Sequence, residues 1–140
     1  MKGSRAGVEY ERSLVRKAWE TGLFAIRSAG SGSGTSAYPK PDLLVFRPGG
    51  LIDVIQLKTA HSDRLRLTPE AWRDEVDTAR RLRELGFKAR AWVEIAFLRR
   101  GRRPRILRVR VDEHEEEALI VDYDPEADEI SFRWERLEAY

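Results

Sequence analysis

Between Asp42 and Thr59 two apolar runs, DLLVF and LIDVIQLKT, are joined by RPGG. Pro-Gly-Gly is turn chemistry, and apolar runs of this length on either side of it read as a β-hairpin buried in a sheet. Successive strand residues point to opposite faces. Ile52, Val54, Gln56 and Lys58 therefore share one face, and Asp53, Ile55 and Leu57 the other. Gln56 and Lys58 project together at the end of their strand, as a shared site requires. The partner strand is approached through YPKPD, which sets Asp42 at its start. Asp53, on the face away from Lys58, reads as structural.

Helical periodicity brackets this hairpin. From Val8 to about Thr21, Leu14, Val15, Ala18 and Trp19 recur three to four apart on one stripe. Glu11 lies on that stripe, where an acid is expensive unless something pairs with it. The alternative is a helix-end acid near the positive end of the helix dipole. After Gly22, LFAIRS reads as a short buried strand, and AGSGSGTSAYPKP as a Gly/Ser-rich loop without the Gly-Lys-Ser/Thr ending of a phosphate-cradling loop. TPEAWRDEVDTARRLRELG predicts a second helix, with Thr68 as N-cap, Pro69 in the first turn and Gly86 closing it. Its apolar stripe is Trp72, Val76, Ala79, Leu82 and Leu85. KARAWVEIAF reads as an internal strand, ILRVRV as a strand with outward arginines, and ALIVDY and EISFRW as a closing hairpin. This order predicts an α/β fold, one mixed sheet flanked by helices, in a single domain of 140 residues. Its core spans about residues 5–98, extended by a basic strand over 99–111 and an acidic segment over 112–140.

The net charge of +2 conceals an asymmetry: residues 1–111 hold 24 of the 26 Lys and Arg but 12 of the 24 acids. The remaining 12 acids fall in residues 112–140, against Arg133 and Arg136 alone. FLRRGRRPRILRVRV carries seven arginines and no acid. A basic body of this kind is the electrostatic footprint of a polyanion binder; the alternative is a solvated surface offset by the acidic end. The Glu115–Glu117 run reads as a solvated turn or, as a hypothesis, a DNA mimic shielding the arginines of residues 99–110. The absence of cysteine removes disulfides and thiolate zinc sites. His61 and His114 stand isolated, without ligand spacing. The four tryptophans, Trp19, Trp72, Trp92 and Trp134, sit in periodic elements and read as core or interface. No apolar run reaches the roughly 20 residues of a membrane span, and no signal-peptide pattern opens the chain, so a cytoplasmic, nucleoid-associated protein is expected. One glutamine, no asparagine and 36% charged residues suit heat adaptation or a GC-rich genome.

The ordered pieces KGS…YERSLV, GLFAIRSAGSGS, PDLLV and VIQLKT resemble the archaeal Holliday junction resolvase family, within the PD-(D/E)xK nuclease superfamily. They cover roughly residues 2–59, and the second helix and AWVEIAF extend the likeness to about residue 98. The resemblance implies a restriction-endonuclease-like fold and hydrolysis of phosphodiesters with Mg²⁺, for which Mn²⁺ would substitute. It further implies that Glu11, Asp42 and position 56 bind metal, that Lys58 serves catalysis, and that Ser31 supports it. Arg12 and Arg27, with Lys2 and Arg5, would contact DNA. The implied partner is a four-way junction, cut by a homodimer whose face would involve the second helix around Trp72, Val76 and Ala79.

Gln56 departs from this pattern, which has a glutamate there. An amide keeps an oxygen but loses the charge, so metal affinity should fall. Three explanations stand: a natural variant that still cuts, a substitution engineered to trap an inactive complex, or a paralogue that binds junctions without cutting them. A nuclease acting on other DNA, such as nicked or flapped duplex, would use the same residues.

Overall fold

The computed structural model describes residues 5–28 and 38–138, with side chains from Gly7 onward. Helix α1 (Arg5–Glu20) leads into strand β1 (Phe24–Arg27), then β2 (Leu43–Arg47), β3 (Leu51–Ala60) and β4 (Arg64–Leu67). A 3₁₀ turn (Pro69–Trp72) opens α2 (Arg73–Glu84). The chain continues through β5 (Lys88–Phe97), β6 (Arg105–Arg110), β7 (Glu117–Asp124) and β8 (Glu129–Arg136).

Five strands form the main sheet in the order β1-β2-β3-β5-β6. β3 and β5 run parallel, and the other neighbours are antiparallel. A parallel pair needs a crossover long enough to return the chain; α2 lies in it. Apolar stripes on the two helices cover opposite faces. Leu14, Val15 and Ala18 of α1 pack on Ala25, Leu43, Val45 and Ile55. Val76 and Ala79 of α2 pack on Ile52, Val54, Ala91 and Val93. Gly86, at φ +100°, closes α2 in a backbone region that a side chain would strain. Thr68 stands ahead of the 3₁₀ turn in extended geometry and makes no side-chain cap bond; its carbonyl accepts the Ala71 N–H instead.

Three expectations are corrected. β7 and β8 do not extend the main sheet; with β4 they form a second, three-stranded sheet. Leu119 and Val121 of that sheet share one core cluster with Val93 and Ile95 of the main sheet, so the domain remains single. β1 is an edge strand rather than a buried one: Ala25 is buried, while Phe24 and Ile26 are each 45% exposed. Trp72, Val76 and Ala79 are 1%, 3% and 0% exposed within the chain's own core. They are therefore unavailable as a dimer face.

Asp53 is structural, as its face implied. It is 1% exposed, meets Arg47 Nε at 2.5 Å and Arg90 Nη2 at 3.0 Å, and accepts the Trp92 indole N–H at 2.9 Å. These bonds hold its carboxyl below the usual range despite the opposing effect of burial, which is the largest single influence. Asp53→Ala should lower unfolding free energy by about 2–3 kcal/mol, less than a fully buried pair because both arginines reach solvent. Urea denaturation checks this; a change below about 0.5 kcal/mol, the level of an ordinary surface substitution, would contradict it.

Candidate active site

Pairing of Leu43 with Ile55 sets Asp42 beside Gln56 at the end of the β2–β3 hairpin. Alternation puts Asp42, Gln56 and Lys58 on the face that carries Leu44, Ile52 and Val54, the side covered by α2. Gln56 Nε2 donates to Asp42 Oδ2 at 2.7 Å, and the Leu57 N–H donates to the same oxygen at 3.1 Å. Two adjacent carboxylates would repel without a cation between them. Here the amide supplies a donor, so residues 42 and 56 satisfy one another. Burial, the dominant influence, pushes the Asp42 carboxyl up; the Leu57 N–H and Lys58 pull it down, and Glu11 pushes it up again.

Glu11, on α1 at the other face of the sheet, acts on Asp42 through its charge. Its carboxylate accepts a bond from Arg27 Nε at 3.0 Å, which answers how an acid on the apolar stripe is tolerated. The neighbouring Tyr10 hydroxyl donates to Glu94 Oε2 at 2.7 Å, and Arg108 binds the other oxygen of Glu94. Burial and Glu94 together keep the Tyr10 phenol protonated. This network fastens α1 to β5 and β6 next to the residue that carries the acid. Arg12 is exposed on α1. Lys2 and Ser31 lie outside the described residues, as does the side chain of Arg5.

Sequence reasoning missed Glu75. It is fully buried at the start of α2, and its Oε2 accepts the main-chain N–H of Asp42 at 3.2 Å. Its Oε1 is buried without a hydrogen-bond partner among the described residues. The signal was present: Glu75 lies three residues after Trp72 and four before Ala79, on the apolar stripe, as Glu11 lies on that of α1. Burial, reinforced by the Asp42 carboxylate, pushes its carboxyl from 4.5 up to about 8.

That shift fixes a pH dependence. Between 4.5 and about 8 the folded protein keeps a proton that the unfolded chain releases, so stability falls as pH rises through this window. Without divalent cations, urea unfolding at rising pH should show this loss, and Glu75→Gln should flatten it. An unchanged slope in the variant would contradict the assignment.

The remaining candidates behave as isolated groups. His114 stacks on Trp134 at 3.6 Å between ring centroids and meets Glu117 at 2.8 Å, while the His61 carbonyl accepts Arg99. Among the described residues no three acid or imidazole groups are already arranged around a common ion position. Of the Glu115–Glu117 run, Glu115 pairs with Arg80 of α2 and Glu117 with His114. Within the arginine stretch, Arg99 meets Asp63, Arg105 meets Asp128, Arg108 meets Glu94 and Arg110 meets Asp112. The acids around Asp42, namely Glu75 and Glu11, nonetheless offer oxygens, which suits a hard divalent cation, and Mg²⁺ is commonly held by one or two carboxylates and water. The unpartnered buried oxygen of Glu75 is the sort of atom a cation would satisfy.

A mixed five-stranded sheet flanked by two helices, with an acid and a lysine gathered at one hairpin end, defines a restriction-endonuclease-like fold. The chain belongs to the archaeal Holliday junction resolvase (Hjc) family, whose model matches residues 2–134. The match runs past residue 98, where the sequence likeness was expected to fade, and takes in β6, β7 and most of β8. Among solved structures, the chain is similar to Hjc of Archaeoglobus fulgidus, a Holliday junction resolvase from an archaeal hyperthermophile. The two are 30% identical over 71% of this chain and 72% of that one, with a TM-score of 0.52. A search of curated proteins finds no match.

Proposed function

We propose that this chain cuts four-way DNA junctions by divalent-metal-dependent phosphodiester hydrolysis, acting as a homodimer. The observation that carries the reading is the gathering of Asp42, Gln56 and Lys58 on one face of the hairpin end, in a chain of the resolvase family. Glu11 and Asp42 would hold the cation. A bound Mg²⁺ would supply Lewis acidity to the scissile phosphate and to an attacking water. Lys58, on the same face as Asp42, places an ammonium where negative charge develops on the phosphate. Arg27 orients Glu11 and leaves part of its guanidinium open to solvent beside the site. Exposed Arg12 faces the backbone of the DNA. Phosphate contacts of this kind position a duplex without reading its sequence, as recognition of junction shape requires.

Two-fold cleavage needs two sites. With Trp72, Val76 and Ala79 buried in the core, the edge strand β1 is the better candidate face: it exposes Phe24 and Ile26, and Trp19 stacks edge-on against Phe24. Sedimentation of the protein beside Phe24→Asp tests this placement. A dimer that the variant converts to a folded monomer supports it; a variant that remains dimeric refutes it.

A second reading, junction binding without turnover, is favoured by the Gln56–Asp42 hydrogen bond, which satisfies Asp42 Oδ2 without a cation. Gel-shift titration on a four-way junction and on linear duplex, each with and without Mg²⁺, tests the shared part of both readings. Preference for the junction by at least about tenfold is expected, together with a steep loss of affinity in salt. Equal affinity for the linear duplex would contradict both.

A further inference from the structure

The amide at position 56 leaves Asp42 as the one carboxylate of the β2–β3 hairpin end. The second carboxylate on this face of the sheet comes from a different element. Asp42, Gln56 and Lys58 all project towards α2, and the first turn of α2 sets Glu75 against Asp42. Glu75 is 0% exposed, and only one of its oxygens is used. That oxygen takes the Asp42 main-chain N–H. The other is buried without a donor among the described residues, which normally costs about 1–3 kcal/mol and is rare in a folded protein. A purely structural residue would be better replaced by glutamine, whose amide could serve the same N–H without the charge.

We propose that Glu75 supplies a further carboxylate to a divalent cation held by Asp42 and Glu11, taking from α2 the ligand place that Gln56 leaves open on β3. This deepens the nuclease reading above and rests on it. Oε1 is the coordinating atom, and Oε2 keeps its bond to the Asp42 main chain. Gln56 then acts as a positioning residue: its amide holds Asp42 Oδ2 and leaves the second Asp42 oxygen for the ion. With the cation in place of the Glu75 proton, Asp42 and Glu75 together supply the charge that a carboxylate at position 56 would have given, beside Glu11 from α1.

The competing role for Glu75 is to buttress the Asp42 main chain and no more. Glu75→Gln separates the two, because it keeps an acceptor for the Asp42 N–H and removes the carboxyl group that a cation would ionise. The experiment is calorimetric titration of Mn²⁺ into the DNA-free protein, compared with Glu75→Gln, Glu75→Gln/Gln56→Glu and Asp42→Asn. Thermal unfolding in a chelator verifies that each variant is folded. Mn²⁺ affinity should fall at least about tenfold in Glu75→Gln and return to within about threefold of the parent in the double variant, where the charge is supplied from β3 instead. Asp42→Asn should abolish binding. If Glu75→Gln binds Mn²⁺ as tightly as the parent, Glu75 is a buttress and the proposal fails while the metal site stands. If affinity is lost in Glu75→Gln and the double variant does not recover it, Glu75 acts by placing Asp42, and the proposal again fails. A parent that binds no Mn²⁺, or binds it equally after Asp42→Asn, overturns the metal site itself and the proposal with it.

Discussion

Lys58→Ala should lower cleavage of a four-way junction by about 10²–10³-fold while leaving junction affinity within about threefold. Lys58 shares its face with Asp42 and Gln56, and its charge is felt at Asp42, where it pulls the carboxyl down. It is half-buried at the end of β3. Its ammonium is thus partly shielded from water, where a fixed charge acts more strongly on a developing negative charge. The proposed binding draws on many arginines outside the site, so one lysine fewer should change affinity little. The substitution removes no core side chain, and the unfolding midpoint should stay near that of the parent. Single-turnover cleavage and gel-shift titration on one junction separate these effects. A variant that cuts within about tenfold of the parent would remove Lys58 from the catalytic residues.

Trp72→Ala should lower unfolding free energy by about 3–5 kcal/mol, a large fraction of what a domain of this size commands. Trp72 is 1% exposed at the junction of the two sheets. It packs in the core cluster with Val76, Val93 and Leu119, meets Trp134 edge-on at 5.9 Å, and donates its indole N–H to the His114 carbonyl at 3.2 Å. Alanine leaves a cavity between two layers that cannot collapse onto each other, and it strands that carbonyl. Trp72→Phe refills most of the volume and should recover about half of the loss. Urea unfolding measures the effect, and sedimentation shows its kind. A residue of a dimer face would yield a folded monomer on truncation; Trp72 should instead yield a destabilised chain whose association, where folded, is unchanged.

The hairpin at the centre of the site was legible because period-two alternation and a Pro-Gly-Gly turn act locally. Residues 42, 56 and 58 could be set side by side without knowing what lay around them. Glu11 was legible for a similar reason, as an acid on an apolar helical stripe. The same test applied to α2 picks out Glu75, but the stripe Trp72, Val76, Ala79 reads as complete without it. Its importance appears only when α2 is laid across the sheet end beside Asp42. β4 could not be read from sequence: RLRL has two charged residues in four, and its partner is β7, with Leu67 opposite Leu119. Without β4, the closing hairpin has no second sheet to join, and element order alone places it in the first. The exposure of Phe24 and Ile26 was likewise invisible, because an apolar edge strand and an apolar central strand have the same composition; only the strand order tells them apart.

The central claim is that this site cuts junctions although position 56 is an amide. Its most direct test is strand cleavage of a synthetic four-way junction with Mg²⁺, and then Mn²⁺, by the protein and by Gln56→Glu, with linear duplex as control. Paired symmetric nicks in the junction from the unsubstituted protein, with the linear duplex left intact, are the expected result. Cleavage by Gln56→Glu alone, or by neither protein despite tight junction binding, would contradict it; the first outcome would identify Gln56 as the residue that silences an otherwise complete site, and the second would leave a junction-binding module.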